Sequence, residues 1–295
     1  MTASVLAVIP GLAESRAANI VDLTTRLARV GVDSVVVTNG RRLRDALRTE
    51  SVRITDPGRN VGFGAAITLG SRESSDWEWL LLVNDDVELD ESAFRTAVDA
   101  LHGRAANSIV YFDDSPPIPI PTVSGVFLNL STLAGVIKRF RRGRSYDRDA
   151  IRRGTAYMSF SAVAISRGLW DALGGFDPVF PFTFEDADFV RQAAEIGASF
   201  EHVSGSGVRH LHSATSRSYI DRVLPVSAWG AYSYLRKWES SARWARIICT
   251  SALLLRIPAV LVIRAPKRAH LRGIVASIAA IRGTSAPALP GYDDV

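Results

Sequence analysis

A chain of 295 residues, 47% of them hydrophobic and 22% charged, can bury a substantial core and does not have the composition of a disordered polymer. Its single cysteine, Cys249, excludes a disulfide framework and a cysteine-built zinc site, and fits a reducing cytoplasm. The net charge of +5 is unevenly spread: residues 138–153 sum to +6 and residues 236–272 to +8, leaving −9 for the rest.

The N-terminal stretch MTASVLAVIPGLAE lacks the basic start and long apolar run of a secretory signal, and its apolar piece, Val5–Pro10, reads as a first buried strand. Apolar residues at helical spacing (Ile20, Leu23, Leu27, Val30) predict a helix over Asn19–Val30, stopped by Gly31. Asp33–Thr38 reads as a second strand and Asn39-Gly40 as its turn. Val52–Thr55 reads as a third strand, Val61–Ser71 as a helix opened by glycines, and Trp79–Val83 as a fully apolar fourth strand running into Asn84-Asp85-Asp86. Ser92–Leu101 is again helical.

Short β-rich runs alternating with helices predict an α/β fold, a mostly parallel sheet covered on both faces. Ligands of such sheets gather outside the carboxyl ends of the strands. Three polar spots fall there, at Asn39, at Asn60 to Gly64 and at Asn84 to Asp86, which together imply a nucleotide-type pocket.

Farther along, Asp113–Pro121 (DDSPPIPIP) is too proline-rich for a helix, and residues 134–153 read as a basic surface segment. Ala156–Ile165 is an apolar, strand-like run. Gly174-Gly175-Phe176-Asp177 is a turn, and Glu185–Ile196 is a helix ended by Gly197. From Ile220 onward the pattern is long and helical, with Trp229, Tyr232, Tyr234, Trp238 and Trp244 preceding the apolar stretch Ile247–Ile263. There is no internal repeat.

Three clusters carry chemistry. Asn84-Asp85-Asp86 at a strand end offers oxygen ligands close enough together for a divalent cation, although Asp and Asn are equally at home in turns and caps. Glu185-Asp186-x-Asp188 puts three carboxylates in four positions. These are costly to bury unless they bind a cation or move protons, and alone they also fit the acid-rich first turn of a helix. His210-Leu211-His212 closes a strand-like run, and of its two histidines His210 is favoured as a ligand.

Taken together, Asn60-x-Gly62-x-Gly64, Asn84-Asp85-Asp86, Gly174-Gly175-Phe176-Asp177, Glu185-Asp186-x-Asp188 and His210 occur in the order and rough spacing of the family 2 glycosyltransferases. The sequence resembles their rhamnosyltransferase-like and galactofuranosyltransferase-like branch over about residues 4–216. That resemblance implies a GT-A fold, a Rossmann-like nucleotide-binding sheet (residues 1–101) merged with an acceptor-binding half (102–216), followed by a basic helical region (217–295). It also implies inverting, Mg2+- or Mn2+-dependent transfer from a dTDP- or UDP-linked sugar to a glycan or polyprenyl-linked acceptor. By position, Asp86 and His210 become metal ligands and Asp186 the catalytic base, with Glu185 beside it positioning the acceptor. Pro10, Asn39, Asn60, Gly62, Gly64, Asn84 and Asp85 fall on the donor nucleotide side, and Asp188 and Phe160 on the acceptor side. Two positions depart from the family pattern. The second strand ends Thr38-Asn39-Gly40-Arg41 instead of in Asp-Asn-Gly-Ser, and Phe160 stands where glycine is usual.

The 17 residues Ile247–Ile263 contain Arg256 and Pro258, which makes them short and broken for a membrane span. A basic, aromatic helix pair lying on anionic lipid is the expectation, with homo-oligomerisation the alternative. The basic runs lack a nucleic-acid reading motif, so no nucleic-acid partner is expected. A catalytically degenerate nucleotide-binding or scaffold protein of the same fold is the competing class, prompted by Thr38 and Phe160.

Overall fold

The computed structural model describes residues 4–134, 148–211, 220–262, 266–289 and 291–293. The strands in chain order are β1 (Val5–Gly11), β2 (Asp33–Thr38), β3 (Ile54–Thr55), β4 (Trp79–Val83), β5 (Val87–Leu89), β6 (Ser108–Tyr111), β7 (Ile118–Pro119), β8 (Ala156–Tyr157), β9 (Ala162–Ser166), β10 (Ser199–His202) and β11 (Val208–His210). The helices are α1 (Ala17–Arg29), α2 (Arg41–Leu47), α3 (Phe63–Gly70), α4 (Glu91–Asp99), α5 (Val123–Leu130), α6 (Arg148–Arg152), α7 (Arg167–Leu173), α8 (Glu185–Glu195), α9 (Ile220–Trp238), α10 (Ala242–Val262) and α11 (Lys267–Arg282).

Seven strands form one sheet in the order β10-β6-β9-β4-β1-β2-β3. Every pairing is parallel except those of β9, which runs antiparallel to both β4 and β6. Side chains alternate across the sheet as the two-residue period demands. Leu6, Val8, Val35, Val37, Leu80 and Leu82 pack on one face, while Val5, Ala7, Ile9, Val36, Leu81 and Val83 pack on the other. The mostly parallel, doubly covered α/β sheet expected from the sequence is therefore present, with one inserted antiparallel strand.

The apolar run Ala156–Ile165 is not one strand. It splits into β8 and β9 because Phe160 leaves the ladder to join a ring cluster, with Tyr111, Phe176 and Phe189 at centroid distances of 6.1, 6.0 and 6.1 Å. Most of the basic segment 134–153 lies outside the described residues. Its end is α6, whose Ala150 and Ile151 are buried, so this part is not a purely solvated surface. Helices α9, α10 and α11 share a third apolar cluster with α5.

From β1 the chain builds outward through β2 and β3, then returns to β4 on the other side of β1. The carboxyl ends of β1 and β4 thus border a topological switch point, where the crevice of an open α/β sheet lies.

Candidate active site

The first cluster stands in that crevice. After β4 the chain turns through Asn84, whose N–H donates to the Ser161 carbonyl (2.8 Å) and whose own carbonyl accepts from Val87 N (3.3 Å). The turn presents Asp85 and Asp86 side by side. β5 then pairs antiparallel with β11 in a register that sets His210 opposite Val87, and Leu211 N donates to the Asp86 carbonyl (3.0 Å). This two-stranded ribbon brings together residues 124 positions apart: His210 Nε2 lies 3.0 Å from Asp86 Oδ1. The expected partnership of Asp86 and His210 is thus built by the fold, while His212 lies outside the described residues.

Electrostatics mark the cluster as short of positive charge. Burial, and next the Asp86 carboxylate, push Asp85 up to about 6, against the opposing pull of Arg16 and the Leu12 N–H. The hydrogen bond to Asp86 raises His210, against its partial burial. The imidazole thus sits beside two neighbouring carboxylates that favour positive charge.

Asp113, which the sequence reading passed over as the start of a proline-rich loop, closes the cluster from β6. It is 5% exposed. Ser161 Oγ and Ser115 Oγ each donate to its Oδ2 at 2.6 Å, and that oxygen lies 3.9 Å from His210 Nδ1. The available signal was Ile109-Val110-Tyr111-Phe112, an apolar run ending in two carboxylates, the same pattern that pointed to Asp85 and Asp86.

Among the described residues no three His, Cys, Asp or Glu side chains converge as a closed cation cage. An oxygen of Asp86 and a nitrogen of His210 are nevertheless donors of the kind Mn2+ or Mg2+ accepts, and would leave such an ion an open site.

The second cluster opens α8. Thr183 and Phe184 both adopt left-handed backbone (φ 66° and 70°), rare for residues of their size, and no side chain caps the helix. The three acids that follow are treated very differently. Glu185 is 9% exposed with an unpartnered Oε2, and burial plus the Asp186 charge push it up to about 8. Asp186 is half-buried, and its Oδ1 accepts from Ala187 N (2.7 Å); desolvation carries it up to about 6. Burial outweighs the backbone N–H groups of the helix start and brings Asp186 close to the neutral range.

Asp188 is 1% exposed and fully engaged. Trp238 Nε1 donates to it (2.6 Å), as do Lys237 Nζ (3.0 Å) and Gln192 Nε2 (2.8 Å), and Lys237 also bonds Asp177 (2.8 Å). This anchors α9 to α8 and leaves Asp188 no free face for an acceptor. Phe160, expected beside the acceptor, is likewise 3% exposed in the ring cluster.

The two clusters meet across β6. Asp113 follows that strand on the His210 side, and two residues before it Tyr111 is buried near Asp186, whose charge, after desolvation, raises the phenol. Tyr157 on β8 is raised in the same way by burial, Asp186 and Glu185.

The donor-side residues gather at the ends of β1 and β2. Asn39 Oδ1 accepts from Val61 N (3.0 Å) and Asn39 N donates to the Gly11 carbonyl (2.6 Å), lacing both strands to the Asn60 loop. Asn60 Oδ1 accepts from Gly62 N (3.0 Å). Pro10 and Asn84 are half-buried at the crevice edge, and Thr38 is fully buried. Packing inside the chain already requires both glycines. A Cβ on Gly62 (φ 84°) would overlap the Pro181 carbonyl, and one on Gly64 would meet the Phe176 side chain at 3.0 Å. The C-terminal tail also returns to this rim: Arg41 N donates to the Tyr292 carbonyl (2.7 Å), and Tyr292 Oη donates to Asp56 (2.8 Å).

No protein-family model matches the sequence, and no curated protein matches it either. Among solved structures it is similar to GalNAc-T7 with UDP, GalNAc and Mn2+, at 14% identity and a TM-score of 0.52, over 82% of this chain and 51% of that one. The chain has a GT-A fold. It spans about half the length of GalNAc-T7. TarS from S. aureus matches at 13% identity with a TM-score of 0.46, over 95% of this chain and 89% of that one. On the GT-A sheet of this chain, Asp85 and Asp86 stand at the crevice beside β1, and Asp186 lies in the first turn of α8.

Proposed function

We propose that this chain is a nucleotide-sugar glycosyltransferase that uses a divalent metal and inverts the configuration of the transferred sugar. The observation that carries the reading is the division of labour among three carboxylates in four positions. Glu185 is buried and pushed toward its neutral form, Asp188 is consumed by Lys237 and Trp238, and Asp186 alone is a half-buried carboxylate with no side-chain partner engaging both its oxygens.

An acceptor hydroxyl next to Asp186 gives up its proton to that carboxylate as its oxygen attacks the anomeric carbon, from the face opposite the leaving diphosphate. Burial brings the titration of Asp186 close to the working pH, and a neutral Glu185 adds no second negative charge beside the proton acceptor. Asp86 and His210 are the residues that would hold Mn2+ or Mg2+. Such an ion, when bound, neutralises the charge gathering on a departing nucleoside diphosphate. Pro10, Asn39, Asn60, Asn84 and Asp85 flank the donor, which we take to be UDP- or dTDP-linked. GalNAc-T7, whose fold this chain shares, was solved with UDP and Mn2+. The motif order favours a rhamnose-like or galactofuranose-like sugar and a glycan or lipid-linked acceptor.

A panel of nucleoside diphosphate sugars, assayed for donor hydrolysis and transfer with Mn2+ and then with EDTA, tests this. Chelation should abolish turnover and added metal restore it. Asp186→Asn should lose about 10²–10⁴ in turnover while donor affinity stays unchanged. Full activity in chelator, or an undiminished Asp186→Asn enzyme, refutes the reading.

A further inference from the structure

Nine large hydrophobic side chains stand exposed among the described residues, and six of them, Trp244, Ile247, Leu254, Leu255, Leu271 and Val275, lie on α10 and α11. On α10 they fall on one stripe: at 100° per residue, positions 244, 247, 251, 254, 255 and 258 share a face. The opposite face, Ala245, Cys249, Ala252, Leu253 and Val260, is buried against the rest of the chain. A helix packed on one side normally turns charge to solvent on the other; α10 turns a tryptophan and three aliphatic chains outward. On α11, Leu271 and Val275 are one turn apart, beside the exposed Arg268 and Arg272.

The charge that α10 and α11 themselves carry has one sign, and Asp221 of α9 pairs with Arg272 (2.9 Å) at their edge. Residues 240–292 contain eight Lys/Arg and no Asp or Glu. No helix among the described residues is long and apolar enough to cross a membrane. A two-fold contact between copies of this face would set one net-cationic surface against another. An anionic bilayer presents what the face lacks, negative charge above an apolar layer.

We propose that the outer faces of α10 and α11 are a docking surface for anionic phospholipid, with the apolar stripes entering the headgroup–acyl boundary and Arg243, Lys267 and Arg268 meeting the phosphates. The proposal is independent of the glycosyl-transfer reading, since its test reads binding and not turnover. The same surface has a structural consequence for the site: α9 joins the hairpin to α8 through Lys237 and Trp238 on Asp188, so docking fixes where the start of α8 stands above the lipid.

The test uses the purified full-length chain with vesicles of phosphatidylcholine alone or with about one third phosphatidylglycerol, read by co-sedimentation and tryptophan emission. Of the six tryptophans only Trp244 is well exposed, at 60%, so a blue shift and protection from acrylamide on anionic vesicles report that side chain. Arg243→Gln with Arg268→Gln should weaken partitioning roughly 25-fold, at about fivefold per lost cation. Raising salt to about 0.5 M should weaken it too. Ile247→Ser with Leu254→Ser should abolish the blue shift while circular dichroism and melting temperature stay as in the parent. Equal partitioning to neutral and anionic vesicles overturns the proposal, as does a bound protein whose Trp244 remains open to acrylamide. So does a serine variant that turns a dimer into a monomer in sedimentation velocity while still binding vesicles, because a second copy then covers the stripe.

Discussion

Replacing Glu185 with glutamine should stabilise the protein at alkaline pH and leave it unchanged in mild acid. In the folded chain burial and the Asp186 charge push Glu185 up to about 8, whereas its ordinary value is 4.5. Between those two values folding must return a proton to a group that the unfolded chain has ionised. A carboxyl raised on folding contributes its full stability below the unfolded value and loses it as pH climbs through the folded one. Each pH unit in that window is worth about 1.4 kcal/mol, so a lone group shifted this far would lose roughly 4 kcal/mol by pH 8. Because Asp186 shares the field and is half-exposed to water, we expect a difference of about 2 kcal/mol. Glutamine keeps the shape and never ionises. Urea denaturation of both proteins at pH 5 and pH 8, in metal-free buffer, isolates the effect: the advantage of Glu185→Gln should grow between the two conditions. If it does not grow, or if the variant is the weaker protein at pH 8, Glu185 is ionised and satisfied in the fold, and the division of roles with Asp186 fails.

The same pair sets the acid limb of activity. With Asp186 up at about 6, turnover should fall about tenfold per pH unit below that point, and a flat profile down to pH 4 would exclude Asp186 as the base. Lys237→Met leaves the 1%-exposed Asp188 charge with only Trp238 and Gln192 as donors, and should cost about 3 kcal/mol in urea denaturation. A loss below 0.5 kcal/mol would show that Asp188 is protonated instead of ion-paired. Gly62→Ala forces a Cβ into the Pro181 carbonyl at φ 84°, and should cost more than about 2 kcal/mol of stability in a thermal melt; an unchanged melting temperature would mean the Pro181 loop moves freely aside.

Much of the nucleotide half was legible because its signals are local. Val35, Val36 and Val37 stand contiguous because both faces of a parallel strand are covered, and β2 runs from Asp33 to Thr38 as read from the sequence. The acidic clusters were legible too, since grouped carboxylates are rarely buried without a reason. What could not be read was the sorting within the clusters. Asp188 is withdrawn from chemistry by Lys237 and Trp238, about fifty residues downstream, and nothing in the sequence around Glu185 announces them. Phe160 looked like an intruder in a pocket because a glycine was expected there; in the fold its ring completes a cluster with Tyr111, Phe176 and Phe189. Asp113 was hidden by the prolines after it, although the β-rich run before it carried the better signal.

The C-terminal helices take part in this sorting. Two consecutive non-glycine residues in left-handed backbone, Thr183 and Phe184, introduce the acids, and each such residue costs on the order of 1–3 kcal/mol unless its surroundings impose it. The surroundings that impose it come from α9. Gly230 lets that helix approach so closely that a Cβ there would lie 2.9 Å from the Thr183 carbonyl, and the Phe184 ring packs on Tyr234 at 5.4 Å. One helical turn on, Lys237 and Trp238 hold Asp188. α9, beyond the boundary expected after residue 216, is thus packed directly on the start of α8. The strained backbone that introduces Glu185 and Asp186 is held from α9, so the geometry of these two carboxylates depends on a helix that carries neither.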